Sequence, residues 1–290
     1  MNNFSYMVFL ILPFIAACQV DMHSSEADTV KYSIERIINY NTPTEERYAQ
    51  GMDIFEGNVF QAFSDGTIDI YDITTGAMIQ TLSLPCEISG NRYHLNNIYI
   101  DSLHNEITLW IPSNKASSPL VGFSLYKDDY LYQVQERVKV PAPVFTDEER
   151  FIASTLYVGN SKYCIRAAYL RTGDDGYGDI QLSGFLFDDM TIDVSYLQKW
   201  ERQYGRLWAM QGGCFKDNSF FLAVGVPSGD AKIYVVDLTN GELNCFIDFR
   251  GNQMLIPYGE EMQGITFYSD VLYFSTTYGL YKIIIDNKIG

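Results

Sequence analysis

Short apolar runs separated by turn residues follow one another in a recurring order along the chain. After Gln263-Gly264 come an apolar run, the turn Ser269-Asp270 and a second apolar run. The same order follows Gln50-Gly51 and Gln211-Gly212. Apolar runs of this length between turn residues predict β-strands joined by hairpins. The pattern is therefore a repeat, which predicts an array or ring of similar units.

The spacing of the Gln-Gly pairs predicts five units. Gln211 and Gln263 are 52 residues apart, and Gln50 and Gln211 are 161 residues apart, close to three such periods. Two units that lack the pair fit between them, beginning near His94 and Arg150. Each unit except the last contains two successive hairpins and hence four strands. This predicts an all-β fold, a β-propeller with five four-stranded blades; six blades with a period of about 40 residues is the alternative.

The two ends of the repeat predict how the ring closes. The last unit reaches Gly290 after three strands, whereas the run Thr29–Tyr40 precedes the first Gln-Gly pair without a hairpin partner. Pairing this run as the outer strand of the last blade removes an open edge that would otherwise promote aggregation. We therefore expect a single propeller domain over residues 29–290.

One segment between the third and fourth units has a different pattern. Leu197–Trp208 carries Arg202 and Arg206 among aromatic residues. We interpret it as a surface connection, with a short helical turn as the other possibility.

The Gln-Gly pairs are predicted to begin the innermost strands, beside the central channel. Glycine allows two backbones to approach closely there, and a glutamine amide can bridge neighbouring strands. The same position borders the channel mouth, where ligands commonly bind. The residues predicted to line this mouth are polar or aromatic and stand at or just before the inner strands: Tyr48, Gln50, His94, Asn96, Arg150, Trp208, Gln211, Tyr258 and Gln263.

Residues 1–17 have the layout of an export signal peptide. An apolar centre at residues 8–12 is followed by small residues directly before Cys18. Ile15-Ala16-Ala17-Cys18 resembles a bacterial lipobox, in which the cysteine is lipidated. The resemblance implies lipidation of Cys18, a polar tether over residues 18–28, and a location in the bacterial cell envelope, facing the periplasm or the cell surface.

The charge of the chain excludes several classes of partner. The formal net charge is −16, which repels phosphate backbones, so we expect no nucleic-acid partner. The same charge disfavours polybasic membrane binding and leaves the N-terminal lipid as the membrane contact. An apolar content of 47% with 22 Tyr and 18 Phe suits a large β-sheet core.

Side chains that commonly bind metals are scarce or widely spaced. The chain has three histidines, of which His23 lies in the tether. The four cysteines after Cys18 form no close pair, and we interpret them as small buried apolar residues. The acidic stretch 172–179 lacks the spacing of a calcium loop and is interpreted as a hairpin tip. We predict no metal site.

Two hairpins share an Asp-x-x-Thr-Gly pattern, at Asp72–Gly76 and, with Asn in place of Thr, at Asp237–Gly241. The aspartate can accept turn N–H groups, and the glycine supplies a positive φ. The pattern resembles the repeats of the quinoprotein-like and YVTN-type propeller superfamily, and with the lipobox it implies a bacterial β-propeller lipoprotein. In quinone-binding members a tryptophan is implied shortly after the glycine; Gln80 and Cys245 stand there instead, so no cofactor is expected.

Two functions are compatible with these features. Glutamine rather than a carboxylate recurs at the inner-strand starts, which favours a non-catalytic binding or scaffold propeller for a glycan, a peptide or an envelope protein partner. The alternative is a five-bladed glycoside hydrolase acting on envelope or dietary glycans, which needs two carboxylates at a defined separation. Asp53, Asp101 and residues 147–149 would then be the candidate acids. We assign no catalytic residue from the sequence.

Overall fold

Five four-stranded antiparallel sheets make up the described part of the chain in the computed structural model. The described residues are 32–40, 47–84, 97–103, 106–111, 120–128, 131–140, 151–159, 163–170, 179–187, 196–204, 210–225, 231–249 and 260–285. Each sheet is one blade of a five-bladed β-propeller, which confirms the predicted fold and makes the six-bladed alternative wrong.

In each blade the strands follow one another outward in chain order, starting from the strand beside the central channel. The exception is the outer strand of the last blade, which comes from the beginning of the described chain. Blade 1 contains β2 (Ala49–Phe55), β3 (Asn58–Phe63), β4 (Thr67–Asp72) and β5 (Met78–Ser83); blade 2 contains β6 (Tyr99–Leu103), β7 (Glu106–Ile111), β8 (Leu120–Asp128) and β9 (Leu131–Val140). Blade 3 contains β10 (Phe151–Gly159), β11 (Tyr163–Leu170), β12 (Ile180–Phe187) and β13 (Tyr196–Tyr204); blade 4 contains β14 (Met210–Lys216), β15 (Ser219–Val224), β16 (Lys232–Asp237) and β17 (Leu243–Asp248). Blade 5 contains β18 (Met262–Tyr268), β19 (Val271–Thr276), β20 (Gly279–Ile285) and β1 (Tyr32–Asn39).

The N-terminal strand closes the ring, as predicted. β1 pairs antiparallel with β20, from Tyr32 opposite Ile285 to Asn39 opposite Gly279. Each of the inner strands β2, β6, β10, β14 and β18 contacts the inner strands of the blades on both sides, and β18 contacts β2. The first and last parts of the described chain therefore meet in one blade, and the circle has no open seam.

Apolar side chains fill the spaces between neighbouring blades. One cluster joins blades 1 and 2 through Phe60 and Phe123, and another joins blades 3 and 4 through Tyr157 and Phe220. Two more clusters join blade 5 to blade 4 and to blade 1. Each blade packs against neighbours on both faces, so a middle strand such as β3 is buried at all six positions. It does not show the alternation of buried and exposed residues that is typical of a sheet with one solvent-exposed face.

The two Asp-x-x-Thr-Gly hairpins have the predicted turn chemistry. The Thr75 amide donates to Asp72 Oδ1 at 2.7 Å, and Gly76 has a φ of +68°. In the second hairpin the Thr239 amide donates to Asp237 Oδ1 at 2.6 Å. Hydrogen bonds from Thr75 and Thr239 hold the pKa of both aspartates below its usual range. These contacts confirm that the aspartates accept turn N–H groups.

The interpretation of Leu197–Trp208 as a surface connection or helical turn is wrong for residues 197–204, and residues 205–208 lie outside the described part of the chain. Residues 196–204 form β13, the outer strand of blade 3. Trp200 is buried and donates from Nε1 to the Leu238 carbonyl of blade 4 at 2.7 Å, while residues 201–203 are exposed. Trp200 and Tyr204 are four residues apart, a spacing that fits one face of a helix and one face of a strand equally well.

The cysteines differ in burial more than the sequence predicts. Cys164 is buried, Cys214 is half-buried on β14, and Cys245 is exposed on β17. The prediction of small buried apolar residues is therefore wrong for Cys245, because an outer strand leaves one face in contact with water. Cys86 and the stretch 172–178 lie outside the described residues.

Candidate functional site

All three Gln-Gly pairs coincide with irregular pairing in an inner strand. The register between first and second strands shifts around Gln50-Gly51 in blade 1, around Gln211-Gly212 in blade 4 and at Gln263 in blade 5. A β-bulge of this kind changes the direction of side chains locally. The bulges therefore allow the glutamine side chains to leave the regular alternation of the strand.

The glycines of these pairs allow inner strands to approach one another closely. A Cβ atom on Gly212 would lie 2.6 Å from the Gly264 Cα atom in the next blade. A Cβ atom on Gly264 would lie 2.8 Å from the backbone nitrogen of Met52, one blade further on. Backbone atoms cannot yield to such contacts as a flexible side chain does, so blades 4, 5 and 1 pack at this distance because both residues are glycines.

Four polar side chains from three blades form a hydrogen-bonded group that we call the glutamine cluster: Gln50, Gln211, Glu261 and Gln263. Gln211 Nε2 donates to Glu261 Oε1 at 2.5 Å, and Gln263 Nε2 donates to Glu261 Oε2 at 3.2 Å. Gln50 Nε2 donates to Gln263 Oε1 at 3.4 Å. The structure thus brings the three predicted glutamines together at the start of the inner strands, as a chain of amides that ends on one carboxylate.

The buried side chain of Gln61 lies beside the two backbone carbonyl groups at the bulge in blade 1. Gln61 Nε2 lies within hydrogen-bond distance of the backbone oxygens of Gln50 and Gly51, at 2.9 and 3.1 Å. Gln61 is fully buried on β3, and its Oε1 atom accepts a hydrogen bond from the Tyr40 hydroxyl at 2.8 Å. The bulge that positions Gln50 is therefore supported by the second strand of its own blade and by the residue that follows β1.

One acceptor of the cluster is buried without a partner among the described residues. Gln50 is 2% exposed, and its Nε2 atom also contacts the Ala49 carbonyl at 3.2 Å, but Oε1 accepts no hydrogen bond there. Leaving a buried acceptor unsatisfied costs about 1–3 kcal/mol, which a bound donor would recover. Gln263 is equally buried, whereas Gln211 and Glu261 are half-buried.

Glu261 is the member of the cluster that sequence reasoning missed. Partial burial raises the pKa of its carboxyl group, and the hydrogen bonds from Gln211 and Gln263 oppose that rise. The repeat gives no signal for Glu261, because the residues two before Gln50 and Gln211 are Tyr48 and Ala209. The preceding residue, Glu260, points elsewhere and accepts hydrogen bonds from Thr276 and Tyr281.

The remaining predicted mouth residues are only partly described. Tyr48 is half-buried directly before β2, and its backbone N–H donates to Ser64 Oγ at 3.0 Å. Any ligand-binding role of the predicted mouth residues, and the lipid on Cys18, stay predictions. Five of the mouth residues, together with the lipidation site, lie outside the described residues: His94, Asn96, Arg150, Trp208, Tyr258 and Cys18.

Asp53, one of the candidate acids, connects three blades. Its Oδ2 atom accepts from the Ile100 amide of blade 2 at 2.7 Å, and its Oδ1 atom accepts from Thr266 Oγ1 of blade 5 at 2.7 Å. The Ile54 amide also donates to Oδ1, at 2.8 Å. Burial raises the pKa of Asp53 to about 6 against these three bonds. Asp101 is half-buried on β6, and residues 147–149 lie outside the described part of the chain.

The described ranges contain neither a group of metal ligands nor a membrane-spanning helix. There, no three His, Cys, Asp or Glu side chains are placed so that they could hold a metal ion together. No helix in the same ranges has the length and apolar character needed to cross a membrane.

Comparison with known proteins places the chain by fold alone. No protein-family model matches it, and no curated protein matches it. Among solved structures, glutaminyl cyclase of Myxococcus xanthus is similar with a TM-score of 0.51 at 13% identity, over 89% of this chain and 98% of that one. An α-L-arabinanase of Penicillium chrysogenum gives 0.48 at 9% identity, over 87% and 98% of the two chains. BamB of Moraxella catarrhalis gives 0.32 at 13% identity, over 82% of this chain and 57% of that one. The similarity to the glutaminyl cyclase, at 13% identity, bears on the fold alone, and a shared fold does not assign a function.

Proposed function

We propose that this protein is a non-catalytic, lipid-anchored binding propeller of the bacterial cell envelope. Its glutamine cluster would hold an uncharged polar ligand, such as a glycan or a peptide segment of an envelope protein, at the mouth of the central channel. The observation that carries the proposal is the buried Gln50 Oε1 atom, which has no partner in the described structure and belongs to a cluster with two half-buried members. Amide groups offer both donors and acceptors, which suits hydroxyl and peptide groups.

The chemistry of the described carboxylates supports binding over hydrolysis. A glycoside hydrolase needs one carboxyl group that donates a proton and a second that acts as a base or nucleophile. The cluster contains one carboxylate, Glu261, and both of its oxygens accept from glutamine amides. Both oxygens of Asp53 are likewise occupied, by donors from three blades. A carboxylate that is fully hydrogen-bonded to the protein is poorly placed to attack a sugar or a water molecule.

Leucine substitutions separate a binding glutamine from a structural one. Gln263→Leu removes a buried amide bonded on two sides and should lower the free energy of unfolding by about 1–3 kcal/mol. Gln211→Leu removes a half-buried amide and should weaken ligand binding by about threefold to tenfold, with little change in melting temperature. Arrays of glycans and of peptides, followed by calorimetry with the best ligand, provide the affinities; thermal unfolding provides the stabilities.

The matched control for both variants is Gln135→Leu, since Gln135 is exposed on the outer strand β9. It should leave affinity and stability unchanged. Equal affinity of Gln211→Leu and the wild-type protein, or no ligand on either array, would contradict the proposed binding function. Release of reducing sugar from an arrayed glycan would favour the hydrolase instead.

Lipidation is tested at Cys18. Cys18→Ser should yield a protein that lacks the mass of the acyl chains and is found in the soluble fraction. The reason is that a chain with a net charge of −16 has no polybasic attraction to anionic lipid. Mass spectrometry and fractionation measure the two effects. Cys245→Ser, at an exposed position of β17, is the control and should stay membrane-bound. Unchanged mass and attachment of Cys18→Ser would show that another feature anchors the protein.

A further inference from the structure

The hydrogen bonds of the glutamine cluster all run in one direction. An ionised carboxylate can only accept hydrogen bonds, so Glu261 requires an N–H group from each neighbour. Gln263 therefore presents its Nε2 atom to Glu261, at 3.2 Å, and its Oε1 atom is left facing Gln50. The carboxylate thus determines which way round the Gln263 amide lies.

The orientation of Gln263 determines that of Gln50 in turn. Gln50 faces two acceptors, the Gln263 Oε1 atom at 3.4 Å and the Ala49 carbonyl at 3.2 Å. Only the NH₂ group satisfies both, because a rotated amide would bring oxygen against oxygen. The Gln50 Oε1 atom is consequently held on the other side of the amide, where it is buried and accepts no hydrogen bond in the described structure.

We propose that Glu261 sets the hydrogen-bond polarity of the whole cluster and so selects a ligand that donates a hydrogen bond to Gln50. This inference rests on the proposed binding function, and it names the ligand chemistry: a hydroxyl or amide N–H group. Glu261 is a specificity-determining residue that acts through Gln263, two side chains away from the atom that receives the donor. A ligand that offers only acceptors at that position would leave two oxygens in contact and would be rejected.

Protonation of Glu261 should relax this selection. A neutral carboxyl group can donate to Gln263 Oε1, so the Gln263 amide can turn and present its Nε2 atom to Gln50. The Ala49 carbonyl is then the one described acceptor that still holds the Gln50 NH₂ group in place. The described side chains that contact Glu261 are the neutral Gln211 and Gln263. The adjacent Glu260 lies beside Arg36, with Oε1 and Nη1 3.7 Å apart, and bonds to Thr276 and Tyr281. Partial burial raises the pKa of Glu261, which brings the change closer to neutral pH.

The test uses the full-length protein labelled with ¹⁵N in its glutamine side chains. Between about pH 4 and pH 8, the side-chain resonances of Gln50, Gln211 and Gln263 should titrate together with one midpoint above the ordinary glutamate value. Glu261→Gln should abolish that shared titration, whereas Glu242→Gln, at an exposed turn, should preserve it. Independent midpoints for the three glutamines, or a shared titration of all three that survives Glu261→Gln, would overturn the inference.

Two cations of equal charge test the selection itself. Methylammonium chloride offers N–H donors and should shift the Gln50 side-chain resonance, whereas tetramethylammonium chloride offers none and should not. Glu261→Gln should weaken the methylammonium effect by about threefold to tenfold. A response to both cations or to neither would overturn the selection. These measurements need no natural ligand. A glycan and peptide array without binding would therefore contradict the proposed function, whereas the hydrogen-bond polarity of the cluster is tested by the titration and the two cations.

Discussion

Deletion of residues 32–40 should leave a protein that aggregates or unfolds far more easily than the full chain, with a loss on the order of 5 kcal/mol or more. β1 supplies the whole outer edge of blade 5 through its pairing with β20. It also contacts both neighbouring blades, since the Tyr32 hydroxyl donates to the Asp248 carbonyl of blade 4 and the Tyr40 hydroxyl donates to Gln61 of blade 1. Removing β1 exposes an unpaired strand edge and two inter-blade clusters to water.

Complementation distinguishes lost closure from general damage. A synthetic peptide of residues 29–40, added to the truncated chain during refolding, should restore solubility and the melting temperature measured by circular dichroism. A scrambled peptide of equal composition should not. Arg36→Met is a milder variant: it removes the hydrogen bond from Arg36 Nη2 to the Tyr278 carbonyl, 3.0 Å long, and the pair with Glu260. A soluble truncation with an unchanged melting temperature would show that another strand closes the ring.

Asp53→Ala should lower the free energy of unfolding by about 2 to 4 kcal/mol at about pH 5. The substitution leaves the Ile100 amide and the Thr266 hydroxyl without the acceptor that links blades 2 and 5 to blade 1. Unlike an ordinary surface aspartate, Asp53 is 7% exposed, so water cannot readily replace it. Chemical denaturation at fixed pH measures the loss.

The effect of this substitution should depend on pH in a stated direction. The pKa of Asp53 is raised from 3.8 to about 6 by burial, so the folded protein holds this proton more tightly than the unfolded chain. The contribution of the group to stability is therefore greatest below pH 4 and falls by about 3 kcal/mol as pH rises through 6. The deficit of Asp53→Ala should accordingly be smaller at pH 8 than at pH 4.

A double-mutant cycle identifies the bond responsible. Thr266→Val removes one donor to Asp53, and its cost should be markedly less when combined with Asp53→Ala than when measured alone. Glu242→Ala, at an exposed turn, is the control and should show no comparable pH dependence. Additive costs for Asp53 and Thr266, or a deficit that grows with rising pH, would contradict the proposed role of this carboxylate.

The fold was accessible from the sequence because the repeat carries its own spacing. The three Gln-Gly pairs define the length of one repeat. The last unit lacks a fourth strand, so the run Thr29–Tyr40, which has no hairpin partner, is predicted to pair with the outer edge of that unit. β13 was not predicted as a strand for two reasons. Its charged residues lie on the solvent-exposed face of an outer strand, and the spacing of Trp200 and Tyr204 is compatible with both a strand and a helix.

The candidate site was only partly accessible. Gln50, Gln211 and Gln263 were predicted to meet because equivalent positions of neighbouring inner strands lie side by side. Glu261 is not repeated in the other units, so no period points to it, and its contact with Gln211 crosses between blades. The burial of Gln50 accompanies a register shift in β2, which the order of polar and apolar residues does not indicate.

The strand that closes the ring is also the strand nearest the predicted anchor, and this joins two mechanical roles. Thirteen residues separate Cys18 from Tyr32, a reach of at most about 50 Å. β1 lies at the rim, three strand spacings or about 14 Å outward from β18. An acylated Cys18 would attach the ring at its circumference rather than at an axial opening. A force that pulls the protein away from the bilayer would then act first on the β1–β20 hydrogen bonds. Tension on the tether would therefore act directly on the strand pairing that closes the propeller.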